Sequence, residues 1–188
     1  GRVRADDEVV VLGAGGVGLS AVQVAVAAGA HVVAVDPSPG ARAAAAELGA
    51  AVTLDPAGLA PEGVADLVGQ ATGGGAHVSI DAFGSPATAI ASVLGLRRRG
   101  RHVQAGLLLG PDARPGLPMD RVIAWELEIY GSHGMAAHEY PALLAAVADG
   151  RLDPARLVAR VVGLDEAASA LAAAGSGTAG VGITVVVP

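Results

Sequence analysis

A glycine-rich turn between a predicted strand and a predicted helix is the feature that most constrains the fold of this chain. Residues 13–18 are Gly-Ala-Gly-Gly-Val-Gly, and the apolar run Val9-Val10-Val11-Leu12 stands immediately before them. The alanine- and valine-rich stretch that follows predicts a helix over residues 17–28. A buried strand, a G-x-G-x-x-G turn and a helix together predict the start of a dinucleotide-binding βαβ unit.

The glycines of this turn have different physical roles. Gly13 permits a tight turn, Gly15 lets the main chain approach a pyrophosphate, and Gly18 lets the helix pack closely on the sheet. The free N–H groups and the positive dipole end at the start of the helix favour a phosphate there. With 28 glycines in the chain, the motif matters through its context, and a merely close-packed strand-turn-helix is the alternative.

Asp36 stands at the end of the second predicted strand, 18 residues after Gly18. A carboxylate there can accept hydrogen bonds from both hydroxyls of an adenosine ribose, and it would repel the 2′-phosphate of NADP. Arg42 lies nearby and can in principle reach a 2′-phosphate, although we favour a solvated helix residue. The sequence therefore predicts NAD as the cofactor, with NADP as the less favoured one.

Short β-branched runs alternate with alanine-rich stretches, which is typical of a parallel sheet covered by helices. The predicted strands are residues 8–12, 31–35, 51–54, 77–82, 100–107 and 127–130, and the predicted helices are residues 17–28, 40–48, 61–70 and 86–96. Right-handed crossovers favour a doubly wound α/β sheet, the Rossmann fold, with strand order 3-2-1-4-5-6. Residues 110–118 are expected to form a loop.

The pattern changes towards the end of the chain. The sequence predicts a helix over residues 139–148, a strand over 158–162, a helix over 166–174 and a strand over 181–187. We therefore predict a Rossmann dinucleotide-binding domain of residues 1–150 and a C-terminal strand-helix-strand tail of residues 151–188.

The carboxyl ends of the later strands are further candidates for a cofactor site, because ligands of doubly wound sheets bind beyond those ends. Small residues there let a flat ring approach the main chain, although each glycine can also be a simple turn residue. Asp81 can either contact the cofactor or cap the turn before Phe83. The candidates are Ala82, Phe83, Gly84, Ala105, Gly106, Leu107, Ser132 and His133.

Missing residue types exclude several kinds of chemistry. The chain has no Cys and no Lys, so it lacks Cys-ligated zinc, a Walker-type phosphate loop and the Tyr-x-x-x-Lys relay of short-chain reductases. A net charge of −6 and 2% aromatic residues argue against nucleic acid as a partner. No apolar stretch reaches the roughly 18 residues of a membrane span, and the charged start does not resemble a signal peptide. We expect a cytoplasmic protein with no membrane partner.

The five histidines do not predict a metal site. His31, His77, His102 and His138 are expected to be ordinary surface or core residues, and His133 has no second ligand nearby in the sequence. The cluster Arg97-Arg98-Arg99-Arg101 is expected to flank a solvated turn into the fifth strand, with a phosphate- or partner-binding role as the alternative.

Several sequence blocks occur in an order that carries more information than any one of them. They are residues 9–18, Val33-Ala34-Val35-Asp36, Glu47-Leu48-Gly49-Ala50, Asp81-Ala82-Phe83-Gly84, Gly100-Arg101-His102-Val103, Gly131-Ser132 and Leu164-Asp165-Glu166-Ala167. In this order they resemble the nucleotide-binding domain of the zinc-dependent medium-chain alcohol dehydrogenases. The resemblance implies cofactor contacts at Gly13, Gly15, Gly16, Val17, Gly18 and Asp36, with Ala82, Phe83, Ala105, Gly106, Leu107, Ser132 and His133 nearby.

The chain also departs from that family. The family's GroES-like domain, which holds the catalytic zinc and most of the substrate pocket, is expected upstream of Gly1. Many members have a Lys five residues after the Asp, where this chain has Ala41, and the Arg that some place near the pyrophosphate has no counterpart around Gly182. The resemblance thus implies an NAD-binding part of an alcohol dehydrogenase-like oxidoreductase. Zinc is expected in a domain in cis, with no catalytic or metal-binding residue in this chain and no activity of the chain alone.

Two further expectations accompany this interpretation. A non-catalytic NAD-sensing module that acts through a partner is the alternative function. By the same resemblance, the sixth strand lies at a sheet edge and pairs across a two-fold axis to form a dimer, and the strands of the tail lack their usual partners. Exposed apolar strands of that kind favour self-association.

Overall fold

Six parallel strands form the main sheet of the computed structural model, which describes residues 1–175 and 180–188. They are β1 (Glu8–Leu12), β2 (His31–Val35), β3 (Val52–Leu54), β4 (Ala76–Asp81), β5 (Leu96–Gln104) and β6 (Glu128–Gly131). Their order is β3-β2-β1-β4-β5-β6. This order confirms the doubly wound Rossmann fold that the sequence predicts.

Five helices accompany these strands, and most begin at residues that favour a helix start. They are α1 (Gly16–Ala27), α2 (Pro39–Glu47), α3 (Pro61–Ala71), α4 (Pro86–Leu94) and α5 (Met119–Ala124). Proline stands in the first turn of α2, α3 and α4, where its fixed φ suits a helix and its missing N–H costs nothing. Ser38 and Ser85 cap α2 and α4 through their side chains.

The central strands are buried on both faces. In β1, Val9 and Val11 pack with α1 and α2, whereas Val10 and Leu12 pack with α3 and α4. All four side chains are at most 3% exposed. Burial on both faces explains why this strand is a continuous apolar run rather than an alternating one.

The start of β5 differs from the prediction. The strand begins at Leu96 rather than at Gly100, because Leu96 is 1% exposed in the core and pairs with Ala76. The register then shifts before Arg101, so the intervening residues form an irregular excursion within the strand. The arginine cluster therefore belongs to β5 rather than to a solvated turn before it.

One helix has no counterpart in the prediction. The short α5 follows residues 110–118, a segment that is expected to be a loop and that contains a 3-10 turn over Gly110–Ala113. At its end the Trp125 ring lies 4.0 Å from the Arg121 guanidinium and 5.4 Å from that of Arg98, measured to the ring centroid. Cation–π contacts stabilise this segment, and they have no sequence period.

The last part of the chain forms a separate small sheet. Its elements are α6 (Tyr140–Ala148), β7 (Val158–Gly163), α7 (Leu164–Gly175) and β8 (Ile183–Val187). β7 and β8 pair in parallel with each other in a two-stranded sheet. Residues 176–179 of the predicted tail lie outside the described residues. In the parts of the chain that the structure describes, no helix has the length and apolar character needed to cross a membrane.

Candidate cofactor site

The register of the main sheet aligns the carboxyl ends of five strands at one edge. Leu12 of β1 is paired with Val35 and with Asp81, Asp81 is paired with Gln104, and Gln104 is paired with Gly131. The residues that follow these strand ends are Gly13, Asp36, Ala82, Ala105 and Ser132. The structure therefore brings one predicted residue from each of the five strand ends to the same edge of the sheet.

The glycine turn is so tight that side chains are excluded at two positions. Gly13 has a φ of +91°, and a Cβ there would lie 2.9 Å from the Cβ of Phe83. A Cβ on Gly18 would lie 1.7 Å from the carbonyl oxygen of Gly13. These distances explain why both positions need glycine. The first turn of α1 packs directly against the end of β1.

Gly15 is different, because it faces open space. It precedes α1 with a φ of −79°, and no described atom beyond its chain neighbours lies within 4 Å of a Cβ built on it. Val17 is also exposed. The first-turn N–H groups of a helix have no acceptor within the helix, so this end of α1 presents donors to the crevice.

The end of the C-terminal tail contacts this turn. A Cβ on Gly16 would lie 3.1 Å from Cγ1 of Ile183, at the start of β8, and 3.8 Å from the carbonyl oxygen of Gly182. The tail thus reaches the glycine turn through apolar and main-chain groups. Gly182, the position without an arginine, lies beside the predicted pyrophosphate site.

The Asp36 carboxylate is oriented by two main-chain donors. Ala14 N–H donates to Oδ2 at 2.8 Å, and Ser38 N–H donates to Oδ1 at 2.8 Å. Each carboxylate oxygen has a second lone pair, so the group can still accept from two hydroxyls. The bond from Ala14 links the glycine turn directly to the end of β2.

Arg42 does not behave as the solvated helix residue that the sequence suggests. Its Nη1 donates to the carbonyl oxygens of Asp36 at 2.7 Å and Pro37 at 2.9 Å, and its Nη2 lies 3.0 Å from Oδ2 of Asp55. The side chain is 18% exposed. The long, flexible stem lets the guanidinium fold back over the start of α2, an arrangement that the spacing alone does not reveal.

An apolar cavity of about 210 Å³ opens beside the glycine turn. It is lined by Leu12, Gly13, Val35, Pro37, Pro56, Leu59, Pro61, Val64, Phe83, Ala87, Thr88 and Ala91. Its walls come from the ends of β1 and β2, from α3 and the segment before it, from Phe83 after β4, and from α4. Apolar walls of this kind suit an apolar or aromatic group.

Asp81 is fully buried and acts as a cap. Its Oδ1 accepts from the N–H groups of Phe83 at 3.0 Å and Gly84 at 2.9 Å. Its Oδ2 accepts from the Thr88 hydroxyl at 3.1 Å and from Gln104 Nε2 at 2.8 Å. Of the two interpretations of Asp81, the structure supports the turn cap. Thr88 and Gln104 are supporting residues that the sequence analysis does not identify.

Two loops at the far end of the edge press against each other. Gly84 has a φ of +88°, and a Cβ there would lie 2.6 Å from the carbonyl oxygen of Leu107. A Cβ on Gly106 would lie 2.3 Å from the nitrogen of Gly84. Phe83 and Leu107 remain 69% and 63% exposed. The two main chains contact each other directly, and the side chains of Phe83 and Leu107 are left exposed to solvent.

Ser132 and His133 follow β6 and are both exposed. The Ser132 N–H donates to the carbonyl oxygen of Gln104 at 3.0 Å, so the main chain there continues the sheet ladder. Within the described residues, neither side chain has a hydrogen-bond partner of its own. This end of the crevice is open.

His102 is the one histidine in the core of the described structure. It is 1% exposed, and its Nδ1 lies 2.7 Å from Oγ of Ser92, which in turn lies 2.6 Å from Oγ of Ser79. Burial lowers the pKa of His102, and the Asp81 charge and a hydrogen bond with Gln104 oppose that shift. His102 is thus a buried core histidine with a hydrogen-bond partner.

Among residues 1–175 and 180–188, no group of three or more His, Asp or Glu side chains is arranged to hold a metal ion. The donor set of the described chain therefore does not fit a zinc site.

Comparison with known proteins identifies relatives over most of the chain. The family described as zinc-binding dehydrogenase matches residues 16–149. The chain is 37% identical over 175 residues to 5-exo-hydroxycamphor dehydrogenase of Pseudomonas putida, covering 91% of this chain and 48% of the relative. It is also 37% identical over 176 residues to a probable alcohol dehydrogenase of Mycobacterium tuberculosis, covering 91% and 47%.

A solved structure gives the same result for the fold. Alcohol dehydrogenase TADH from Thermus sp. ATN1 superposes with a TM-score of 0.85 at 29% identity, covering 100% of this chain and 53% of that one. The chain thus spans about half the length of the curated relatives and the solved structure that it matches.

Proposed function

Because the chain belongs to the zinc-binding dehydrogenase family, we propose that it is the NAD-binding domain of an alcohol dehydrogenase-like oxidoreductase. One observation carries the proposal: Asp36 at the end of β2 accepts a hydrogen bond from Ala14 of the glycine turn, 2.8 Å away. This bond supports the proposal because it joins the carboxylate at the end of β2 to the glycine turn, and these two features hold the ribose and the pyrophosphate in a dinucleotide site.

The crevice offers a place for each part of a dinucleotide. The apolar cavity suits the adenine ring, and Asp36 suits the hydroxyls of its ribose. The open end of α1, at Gly15, Gly16 and Val17, suits the pyrophosphate. Phe83 lines the cavity, and the nicotinamide half extends beyond it past the later strand ends. The remaining contacts at that end are Ala82, Ala105, Gly106, Leu107, Ser132 and His133.

The charge at the adenosine end favours NAD over NADP. A 2′-phosphate would lie beside the Asp36 carboxylate, and repulsion in a half-buried site costs on the order of 1–2 kcal/mol. The guanidinium of Arg42 is already bound to two carbonyl oxygens and to Asp55. NADP therefore meets an unfavourable charge, and the nearby Arg42 cation is already paired with Asp55.

When bound, the nicotinamide supplies the hydride acceptor or donor for an alcohol and its carbonyl product. This chain's residues bind and orient the cofactor. The described residues do not fit zinc, so we place the zinc ligands and most of the substrate pocket in a domain in cis, outside these 188 residues. On this proposal the chain alone binds NAD and does not turn over an alcohol.

The division of the chain and its assembly belong to the same proposal. Residues 1–150 form the dinucleotide-binding domain, and residues 151–188 form a tail whose small sheet packs on the domain in cis. Two copies pair through the edge strand β6, where Ile129 is 41% exposed. The protein acts in the cytoplasm, with no nucleic acid or membrane as a partner.

Isothermal titration calorimetry of the 188-residue chain with NAD and with NADP tests the proposal. We expect NAD to bind more tightly than NADP, and Asp36→Ala to weaken NAD binding by about tenfold, or about 1.4 kcal/mol. Asp149→Asn, at an exposed ion pair with Arg151, is the matched control and should bind like the parent chain. Absence of NAD binding, or tighter binding of NADP, would overturn the proposal. Tight NAD binding by a full-length protein that never turns over an alcohol would instead favour the NAD-sensing module.

A further inference from the structure

The ends of β2 and β3 are joined by an arginine held between two acidic residues. Val35 and Leu54 are paired in the sheet, so Asp36 and Asp55 follow neighbouring strand ends. Arg42 is bound to the main-chain oxygen of Asp36 at 2.7 Å and to the carboxylate of Asp55 at 3.0 Å. The Arg42 guanidinium therefore lies next to Asp36, the residue proposed to bind the ribose.

We propose that Asp55 determines cofactor specificity by holding Arg42 away from a 2′-phosphate; this inference rests on the proposed NAD function. An arginine beside the ribose carboxylate would ordinarily favour NADP, because guanidinium binds phosphate in a bidentate manner. Here Nη1 serves two carbonyl oxygens, and Nη2 serves Asp55. The arginine is present but its charge is already neutralised.

The charge balance supports the same conclusion. Asp36, Arg42 and Asp55 sum to −1, so a phosphate approaching the ribose meets a net negative charge. Asp55 is also held in place, because its Oδ1 accepts from Ala57 N–H at 2.9 Å. Its side chain is 47% exposed.

The substitution Asp55→Asn removes the charge while its side-chain oxygen can still accept from Ala57 N–H. Nη1 of Arg42 keeps its two carbonyl acceptors, whereas Nη2 loses its ion pair, so the positive charge of the guanidinium is available to a 2′-phosphate. We expect NADP affinity to rise by about five- to tenfold relative to NAD, with NAD affinity within about twofold of the parent chain. The gain should diminish in high salt because the new attraction is electrostatic.

A double variant tests whether Arg42 causes the expected gain in NADP affinity. In Asp55→Asn combined with Arg42→Met, the gain in NADP affinity should disappear, since the cation that meets the phosphate is gone. Asp55→Glu keeps the charge and should keep the parent preference. Asp149→Asn controls for the loss of one negative charge elsewhere on the chain.

Calorimetry of the parent chain and these four variants with NAD and NADP measures the ratio of the two affinities, which tests the proposal. An unchanged ratio of affinities in Asp55→Asn would overturn the proposal, and so would a gain that persists without Arg42. If the parent chain binds NAD but Asp55→Asn does not change the ratio, the specificity proposal fails and the cofactor proposal stands. If the parent chain binds neither nucleotide, the cofactor proposal itself fails.

Discussion

The two ends of the crevice differ in how completely this chain builds them. At the adenosine end, Asp36, Arg42 and Asp55 are linked to one another and to the main chain by hydrogen bonds of 2.7–3.0 Å, and an apolar cavity lies beside them. At the nicotinamide end, Leu107 is 63% exposed, and Ser132 and His133 are exposed as well. On the proposed function, one end is already arranged to bind its ligand, and the other is an open surface.

This difference indicates how the function is divided. A site whose polar groups are already oriented loses little entropy on binding. Exposed apolar side chains next to it are typical of a surface that another domain or a ligand covers. On the proposed function, we therefore expect the adenosine half to supply most of the cofactor affinity of this chain, and the nicotinamide half to be completed by the domain proposed in cis.

The largest expected effect is a loss of stability at the glycine turn, where one variant tests folding and another tests binding. Gly18→Ala places a Cβ 1.7 Å from the carbonyl oxygen of Gly13, so we expect it to lower the free energy of unfolding by about 3 kcal/mol or more. Gly15→Ala, its matched control, faces open space and should cost at most about 1 kcal/mol while still weakening NAD binding. Urea denaturation and calorimetry measure both. Equal stability of the two variants would contradict the close packing at Gly18.

The next effect tests the support of the nicotinamide end. Asp81 is buried and accepts four hydrogen bonds from the Phe83 turn, Thr88 and Gln104. Asp81→Asn replaces one carboxylate oxygen, which accepts hydrogen bonds, with an NH2 group that would face N–H or O–H donors. We therefore expect the free energy of unfolding to fall by about 2 kcal/mol. Thermal denaturation measures it, with Asp66→Asn on the exposed face of α3 as the control. A variant as stable as the control would show that Asp81 does not hold the turn.

A pH effect is expected from the core beneath this end. Burial holds the pKa of His102 below its usual value near 6.5, so the unfolded chain binds the proton more readily than the folded one. The contribution of neutral His102 to the free energy of unfolding is therefore complete above pH 6.5, the usual pKa of histidine. It declines as the pH falls towards the lower pKa of the folded state, by at most about 1.4 kcal/mol per pH unit. Urea denaturation across this range should show a flatter pH dependence for His102→Gln. An identical dependence in both proteins would contradict this assignment.

The smallest effect is expected at Ser132 and His133. Their side chains are exposed and have no hydrogen-bond partners among the described residues, so Ser132→Ala and His133→Ala should change the NAD dissociation constant of the isolated chain by about twofold or less. Calorimetry against Asp36→Ala provides the comparison. A loss as large as that of Asp36→Ala would show that the two ends contribute equally.

The sequence predicts the sheet well because the signals there are local. The valine runs of β1 and β2 are bounded by glycines and an aspartate, and their predicted bounds match the structure. β5 is predicted less well, because Leu96 joins the strand through a long-range contact with Ala76, and the arginines after it resemble a surface turn. Local patterns do not contain that contact.

The candidate site shows the same limit. The positions at the strand ends follow from the parallel topology, so the sequence locates Gly13, Asp36 and Ser132 at one edge. The pairing of Arg42 with Asp55 joins residues 13 positions apart through a side chain that folds back, and no period in the sequence predicts it. The cap at Asp81 appears as one of two alternatives until the hydrogen bonds decide between them.

The most direct test compares ADP-ribose with NAD as ligands of this chain. The two differ by the nicotinamide ring, which is the part that meets the open end of the crevice. If the adenosine end supplies the affinity, calorimetry will give dissociation constants within about threefold of each other, a difference of roughly 0.7 kcal/mol or less. NAD binding more than about tenfold tighter than ADP-ribose, or about 1.4 kcal/mol, would show that the nicotinamide end is already formed and would contradict the account.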